Sequence, residues 1–178
     1  NGSNDDTQEV LAPLLEKYIF VTLVNVSVNK GYGHGILSGL RGASGDILAW
    51  THADLQTDPS DIIIALEFFK ESNNPKLLFV KGKRYGRPLI DVIFTIGMSI
   101  FETILMKTKM WDINAQPTVF HRSFYESWEE PPKDFSLDLF VYFMAKKQNL
   151  IIKRFPVLFA DRVHGSSHWN VSISAKLH

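Results

Sequence analysis

The chain has 178 residues, 45% of them hydrophobic and 21% charged, which is enough for one globular domain with a sizeable core. Nineteen Lys and Arg balance nineteen Asp and Glu, so the net charge is zero and no global basic field is available for nonspecific nucleic-acid binding. Cysteine is absent, which excludes a disulfide framework and Cys-ligated zinc and fits a reducing compartment. No leading apolar run reads as a signal peptide, and none is as long and uninterrupted as a membrane span requires.

The chain opens with turn chemistry, Asn1-Gly2-Ser3-Asn4-Asp5-Asp6-Thr7, feeding an amphipathic helix through Val10, Leu11, Leu14 and Leu15. This is a βα turn without its β, so a preceding piece is expected. Residues 19–28, rich in Val, Ile and Phe, predict a buried parallel strand. A glycine-rich turn at 29–35 leads to a short helix over 36–43, ending near Gly45, and then to a strand over 46–51. Pro59 sits where a helix N1 proline belongs, residues 62–70 continue that helix, and 76–80 make the next strand. A strand around 119–121, a helix around 136–148 and a strand over 150–157 complete the plan. Strands alternating with helices predict an α/β domain on a mostly parallel sheet, with ligands at the carboxyl ends of the strands.

Residues 88–106 break the pattern, being strongly apolar, interrupted by Asp91, Gly97 and Glu102, with only a thin polar stripe. Two readings stand: a core helix, or a helix lying in a membrane interface with its apolar face down.

Four segments sit where strands end. In His52-Ala53-Asp54-Leu55-Gln56 an extended chain would turn His52, Asp54 and Gln56 to one side, where they could hold Mg²⁺ or Mn²⁺ beside substrate phosphates. The turn Gly31-Tyr32-Gly33-His34-Gly35 would let a backbone approach phosphate at a helix start. It is not a dinucleotide fingerprint, because Ile36 occupies the place of the third glycine. Lys81-Gly82-Lys83-Arg84-Tyr85-Gly86-Arg87 carries four cations and two glycines, as a phosphate cradle or an anionic-lipid contact would. In segment 161–169, Arg162, Ser166, Ser167, His164 and His168 could close over a diphosphate. Asp112 and Asp138 are single carboxylates.

Taken in order, these segments resemble family 2 glycosyltransferases of GT-A fold, nearest to the branch of dolichol-phosphate mannose synthase and bacterial polyprenyl-phosphate glycosyltransferases. Asn1-Gly2-Ser3-Asn4-Asp5 resembles the D-D-G-S-x-D turn without its first acid, and Asn29-x-Gly31-x-Gly33 resembles N-x-G-x-G. Ala53-Asp54-Leu55-Gln56-x-Asp58-Pro59 is similar to the D-A-D-L-Q-x-x-P metal motif, with His52 in place of the first acid. Gly82-x-Arg84 resembles G-x-R, Asp112 the acid that opens the acceptor-side segment, and Phe159-x-Asp161-Arg162-x-x-Gly165-x-Ser167 the late F-x-D-R-x-x-G-x-S-K.

The resemblance implies inverting transfer from a nucleotide-diphospho-sugar, assisted by Mg²⁺ or Mn²⁺. Asn29, Gly31, Gly33, Asp54, Arg84, Arg162 and Ser167 would bind the donor, and Asp54, with Gln56 and His52, the metal. Asp54, Asp112 and Arg162 would be catalytic, with Asp112 as base for a hydroxyl acceptor. Asp138, Lys83, Arg87 and His168 would lie on the acceptor side. Two departures concern an acceptor phosphate: segment 112–118 lacks the arginine of D-x-x-G-x-F-R, and His168 replaces the late lysine. The acceptor is therefore either a polyprenyl or dolichyl phosphate, with helix 88–106 on the cytoplasmic face of a membrane, or a saccharide hydroxyl. In the second case the helix lies in a core or in the interface of a homo-oligomer. A non-catalytic nucleotide-sugar-binding protein is the third reading.

Overall fold

The computed structural model describes residues 1–160. Their elements run α1 (Thr7–Lys17), α2 (Tyr32–Gly42), β1 (Ile47–Trp50), α3 (Asp61–Lys70), a 3₁₀ turn (Pro75–Leu77), β2 (Leu78–Tyr85), α4 (Leu89–Met106), β3 (Thr118–His121), α5 (Arg122–Glu126), α6 (Leu137–Lys147) and β4 (Ile151–Leu158). The strands form one sheet in the order β1-β3-β2-β4. β3 runs antiparallel to both β1 and β2, whereas β4 runs parallel to β2 over its full length. The expected α/β fold is present, with a mixed sheet: β1, β2 and β4 point one way and β3 the other.

Strand alternation divides the core in two. Leu48, Trp50, Phe79 and Phe120 face α2, α5 and α6, and Phe79, Phe120, Phe124 and Trp128 stack there edge-on and face-on. Leu78, Val80, Val119, Phe155 and Val157 face Ala65 and Phe69 of α3. Because β2 and β4 stay in register to Tyr85 and Leu158, the strand expected over 76–80 starts two residues later and runs five further. Lys81 to Arg84 thus belong to a strand and not to a loop that follows it.

Segment 19–28 is not a strand: Ile19 is 92% exposed and Phe20 82%. A strand exists only by pairing, and among the described residues no strand lies beside this segment. Its links run to Gly2, whose N–H donates to Val26 O at 2.7 Å, and to the end of α2, where Val24 lies against Gly42.

Helix α4 is inside out. Its buried residue is Ser99, while Leu89, Ile93, Phe94, Ile100, Phe101 and Ile104 are exposed. The side chains that tie it to the domain are polar and recur every fourth residue. Thr95 Oγ1 accepts from Arg87 at 2.8 Å, Ser99 Oγ accepts from Asp112 N at 3.1 Å, and Thr103 Oγ1 accepts from Met110 N at 2.9 Å. The core-helix reading of this segment fails on that pattern within the chain.

Candidate active site

The opening turn and the glycine turn meet. Asn29 Oδ1 accepts from Asn1 Nδ2 at 3.1 Å and from Gly31 N at 3.0 Å, and Asn1 Nδ2 also donates to Gly31 O at 2.9 Å. The glycines themselves lie against protein backbone. A Cβ on Gly31, whose φ is 105°, would stand 2.7 Å from Lys133 O, and one on Gly33 would stand 2.7 Å from Pro132 O and 2.8 Å from Asp134 O. His34 N donates to Lys133 O at 2.8 Å. The start of α2 is thus packed against the 132–134 backbone, and part of its N–H array is already spent there.

Past β1 the chain is not extended as the metal motif required. Leu55 lies in the left-handed region at φ 59°, which breaks the alternation that would have turned His52, Asp54 and Gln56 to one side. Asp54 Oδ1 accepts from Gln56 N at 3.3 Å, and Gln56 Nε2 donates to Ala160 O at 3.3 Å while Ala160 N returns a bond to Gln56 O. Gln56 therefore clasps this loop to the segment after β4. His52 Nε2 is buried without a hydrogen bond, and burial holds its imidazole below the usual pKa and so neutral. Its ring meets the edge of Phe159 at 5.7 Å. Among the described residues no three His, Asp or Glu side chains form a metal cluster.

Beneath the strand ends lies a buried polar network. Lys81 is fully buried, donates to Thr118 Oγ1 at 2.7 Å and stands 3.6 Å from Asp138 Oδ1. Burial pulls its ammonium down to about 8, with Asp138 opposing. Tyr32 Oη donates to Asp138 Oδ2 at 2.8 Å and accepts from Gln116 Nε2 at 2.7 Å, and Phe135 stacks on its ring at 4.9 Å. Asp138 Oδ1 and Gln116 Oε1 have no hydrogen-bond donor of their own. Asp138 is thus joined to the glycine turn through Tyr32.

Asp112 is the centre of an arginine cluster. It is 2% exposed, lies in the left-handed region at φ 46°, and takes three bonds from Arg84: Nε to Oδ1 at 2.8 Å, Nη2 to Oδ1 at 2.5 Å and N to Oδ2 at 3.0 Å. Arg154 Nη2 stands 3.7 Å from Oδ2 and Arg87 Nη2 3.9 Å from Oδ1. Burial would raise the Asp112 pKa, but Arg84 and Arg154 outweigh it and hold the carboxyl below the usual range. A carboxylate so engaged is a poor proton acceptor, and the geometry of Asp112 is that of a buried counter-ion.

Arg84 also lies over the Phe159 ring at 5.2 Å, so that ring separates the arginine cluster from His52. Lys83 is exposed on β2, and Arg162, Ser167 and His168 lie outside the described residues. Sequence reading missed Tyr32, Gln116, Lys81 as a buried group, and Arg154. Gln116 and Arg154 carry no motif, and Tyr32 and Lys81 fill unspecified positions of the segments quoted for them.

A family model described as Glycosyl transferase family 2 matches residues 1–126. Among solved structures, the chain resembles glucosyl-3-phosphoglycerate synthase from Mycobacterium tuberculosis. Its complex with UDP matches at 16% identity and TM-score 0.63, covering 93% of this chain and 59% of that one. Its complex with phosphoglyceric acid matches at 14% and 0.62, covering 94% and 59%. Its complex with Mn²⁺, UDP and glucosyl-3-phosphoglycerate matches at 15% and 0.59, again over 94% and 59%. The chain therefore spans about three fifths of the length of those structures, and the likeness shows a shared GT-A fold.

Proposed function

The chain belongs to glycosyl transferase family 2, and we propose that it carries the catalytic domain of an enzyme that moves a sugar from a nucleoside diphosphate to a polyprenyl phosphate at a membrane surface. The observation that carries this reading is the inverted helix α4. Its polar stripe holds Met110, Asp112 and Arg87 at the site, and its apolar side faces away from the domain. A lipid phosphate needs such a surface: an apolar layer for the tail beside cations for the head.

The donor side rests on the loop after β1. Asp54 and the neutral, unpartnered His52 Nε2 would hold a divalent ion, and two such ligands from the chain leave room for diphosphate oxygens. A bound Mg²⁺ or Mn²⁺ supplies positive charge against the leaving diphosphate. UDP and Mn²⁺ in the M. tuberculosis complex support this donor chemistry. In the transfer, an acceptor phosphate oxygen forms the new bond to the anomeric carbon as the bond to the nucleoside diphosphate breaks, with inversion. The electron pair leaves on the diphosphate, where by the resemblance Arg162, outside the described residues, would add positive charge. The attacking oxygen is already anionic, so no base is required and Asp112 is free to stay paired with arginine.

A second reading, transfer to a saccharide hydroxyl, is favoured by Asp138, whose Oδ1 is buried without a hydrogen-bond donor and could accept a hydroxyl proton. The discriminating experiment is transfer from radiolabelled nucleotide sugars to polyprenyl phosphate, polyprenol and oligosaccharide, together with flotation on anionic liposomes. The lipid reading expects label on polyprenyl phosphate alone, and flotation that Ile93→Glu with Ile104→Glu abolishes. Label on oligosaccharide, or a dimer that covers α4 and does not float, refutes it.

A further inference from the structure

Charge counting in the arginine cluster points to an acceptor subsite in which Arg154 of β4, carried by no motif, joins Arg87. Three guanidiniums, from Arg84, Arg87 and Arg154, face one carboxylate, Asp112, and all four side chains are largely buried. Arg84 takes up that carboxylate with two side-chain bonds and one backbone bond. Arg154 spends its N–H groups on the carbonyls of Gly82, Trp111 and Asp112, which fix its position without neutralising it. Arg87 donates Nη1 to Thr95 Oγ1, and its Nε is buried with no partner. With Asp91 also acting on Arg87, the cluster holds a surplus of one positive charge and an unsatisfied donor. Burying such a surplus is costly unless an anion completes it.

We propose that Arg87 and Arg154 bind the phosphate of the acceptor, a phosphomonoester whose anionic oxygens would take the unsatisfied Arg87 donor and offset the surplus. This rests on the phosphate-acceptor reading above. It also answers the two departures in the sequence: the arginine missing after Asp112 and the lysine replaced by His168 are made good from β4 and from the residue two before α4. Arg87 stands at the foot of α4, where a lipid phosphate bound there would lay its tail along the apolar side of that helix. Arg84, with Asp112 on one side and the Phe159 ring on the other, lies between this subsite and the donor loop.

The test is equilibrium binding by titration calorimetry with farnesyl phosphate, glycerol 3-phosphate, farnesol and UDP with Mn²⁺. The variants are Arg87→Gln, Arg154→Lys and, because Arg154 also supports three carbonyls, the double variant Arg87→Lys/Arg154→Lys checked for an unchanged circular-dichroism spectrum. The proposal expects phosphomonoester binding that weakens about 10- to 100-fold in Arg87→Gln and falls steeply with salt, while UDP binding moves less than about twofold. Farnesyl phosphate binding far above glycerol 3-phosphate identifies a lipid head as the source; equal binding identifies a soluble phosphate. Farnesol binding as well as farnesyl phosphate, or a loss of UDP affinity equal to the loss of phosphomonoester affinity, overturns the subsite. Failure of UDP to bind the unaltered protein overturns the donor reading instead, and leaves the phosphomonoester result to be judged by itself.

Discussion

Asp112→Asn isolates the counter-ion argument. Asparagine tolerates the left-handed φ of 46° and nearly preserves volume, so the change removes little except the charge. The carboxylate is 2% exposed and faces three guanidiniums. Breaking a buried ion pair by removing one partner costs about 3–5 kcal/mol, because the charges left behind stay desolvated. For a domain of this size each kcal/mol moves the melting temperature by about 2–4 °C, so the expected loss is roughly 6–20 °C. The sign of the pH dependence follows from the depressed pKa of Asp112 in the folded state. Its contribution is fully present above the unfolded value of about 4 and is lost as pH falls through the folded value. Urea unfolding of both proteins should therefore show a constant gap at neutral pH that closes below about pH 4. Inorganic phosphate should narrow the gap at neutral pH, since it can replace the missing anion. A gap under about 1 kcal/mol at pH 7, or one that persists in acid, refutes the counter-ion role. Lost turnover at unchanged stability, with a basic limb removed from the pH–rate profile, would restore Asp112 as a base.

Three further outcomes follow from the same geometry. Lys81 titrates near 8 in the folded chain and about 10.4 in the unfolded one, so the unfolded state binds more protons between those values. Stability should rise with pH across that window, and Lys81→Met should remove the rise in a series of urea melts. Gly33→Ala should cost about 1–3 kcal/mol, because its Cβ meets backbone carbonyls that cannot easily yield. Gly39→Ala, with nothing within 4 Å in the same helix, should gain roughly 0.4–1 kcal/mol, and thermal melts compare the two directly. Asp54→Ala should abolish Mn²⁺-dependent UDP binding in calorimetry, whereas His52→Ala should weaken it. Full activity in Asp54→Ala would sink the donor-site assignment.

Most elements were legible in the sequence because the information for them is local. Pro59 before Ile62 to Lys70, the short apolar run at Val119 and Phe120 and the helix-forming stretch around Val141 place α3, β3 and α6 within a few residues. The failures have physical causes. Segment 19–28 has the composition of a buried strand, but pairing requires a neighbour that composition does not contain. The burial of Lys81 was not legible because it depends on the parallel register of β2 with β4, which sets Lys81 opposite Arg154 across more than seventy intervening residues.

By itself the sequence determined the order of the strand-end motifs, and with it the family, because those motifs are short-range patterns of glycine, acid and amide. Only the tertiary structure decided what those residues do. It turned the glycines onto the 132–134 backbone, surrounded Asp112 with arginines from three places in the chain, and mounted α4 by its polar stripe. A sequence shows which side chains share a face, but the energy of a buried charge or an exposed apolar face is set by what lies opposite, and that is known only once distant segments have met.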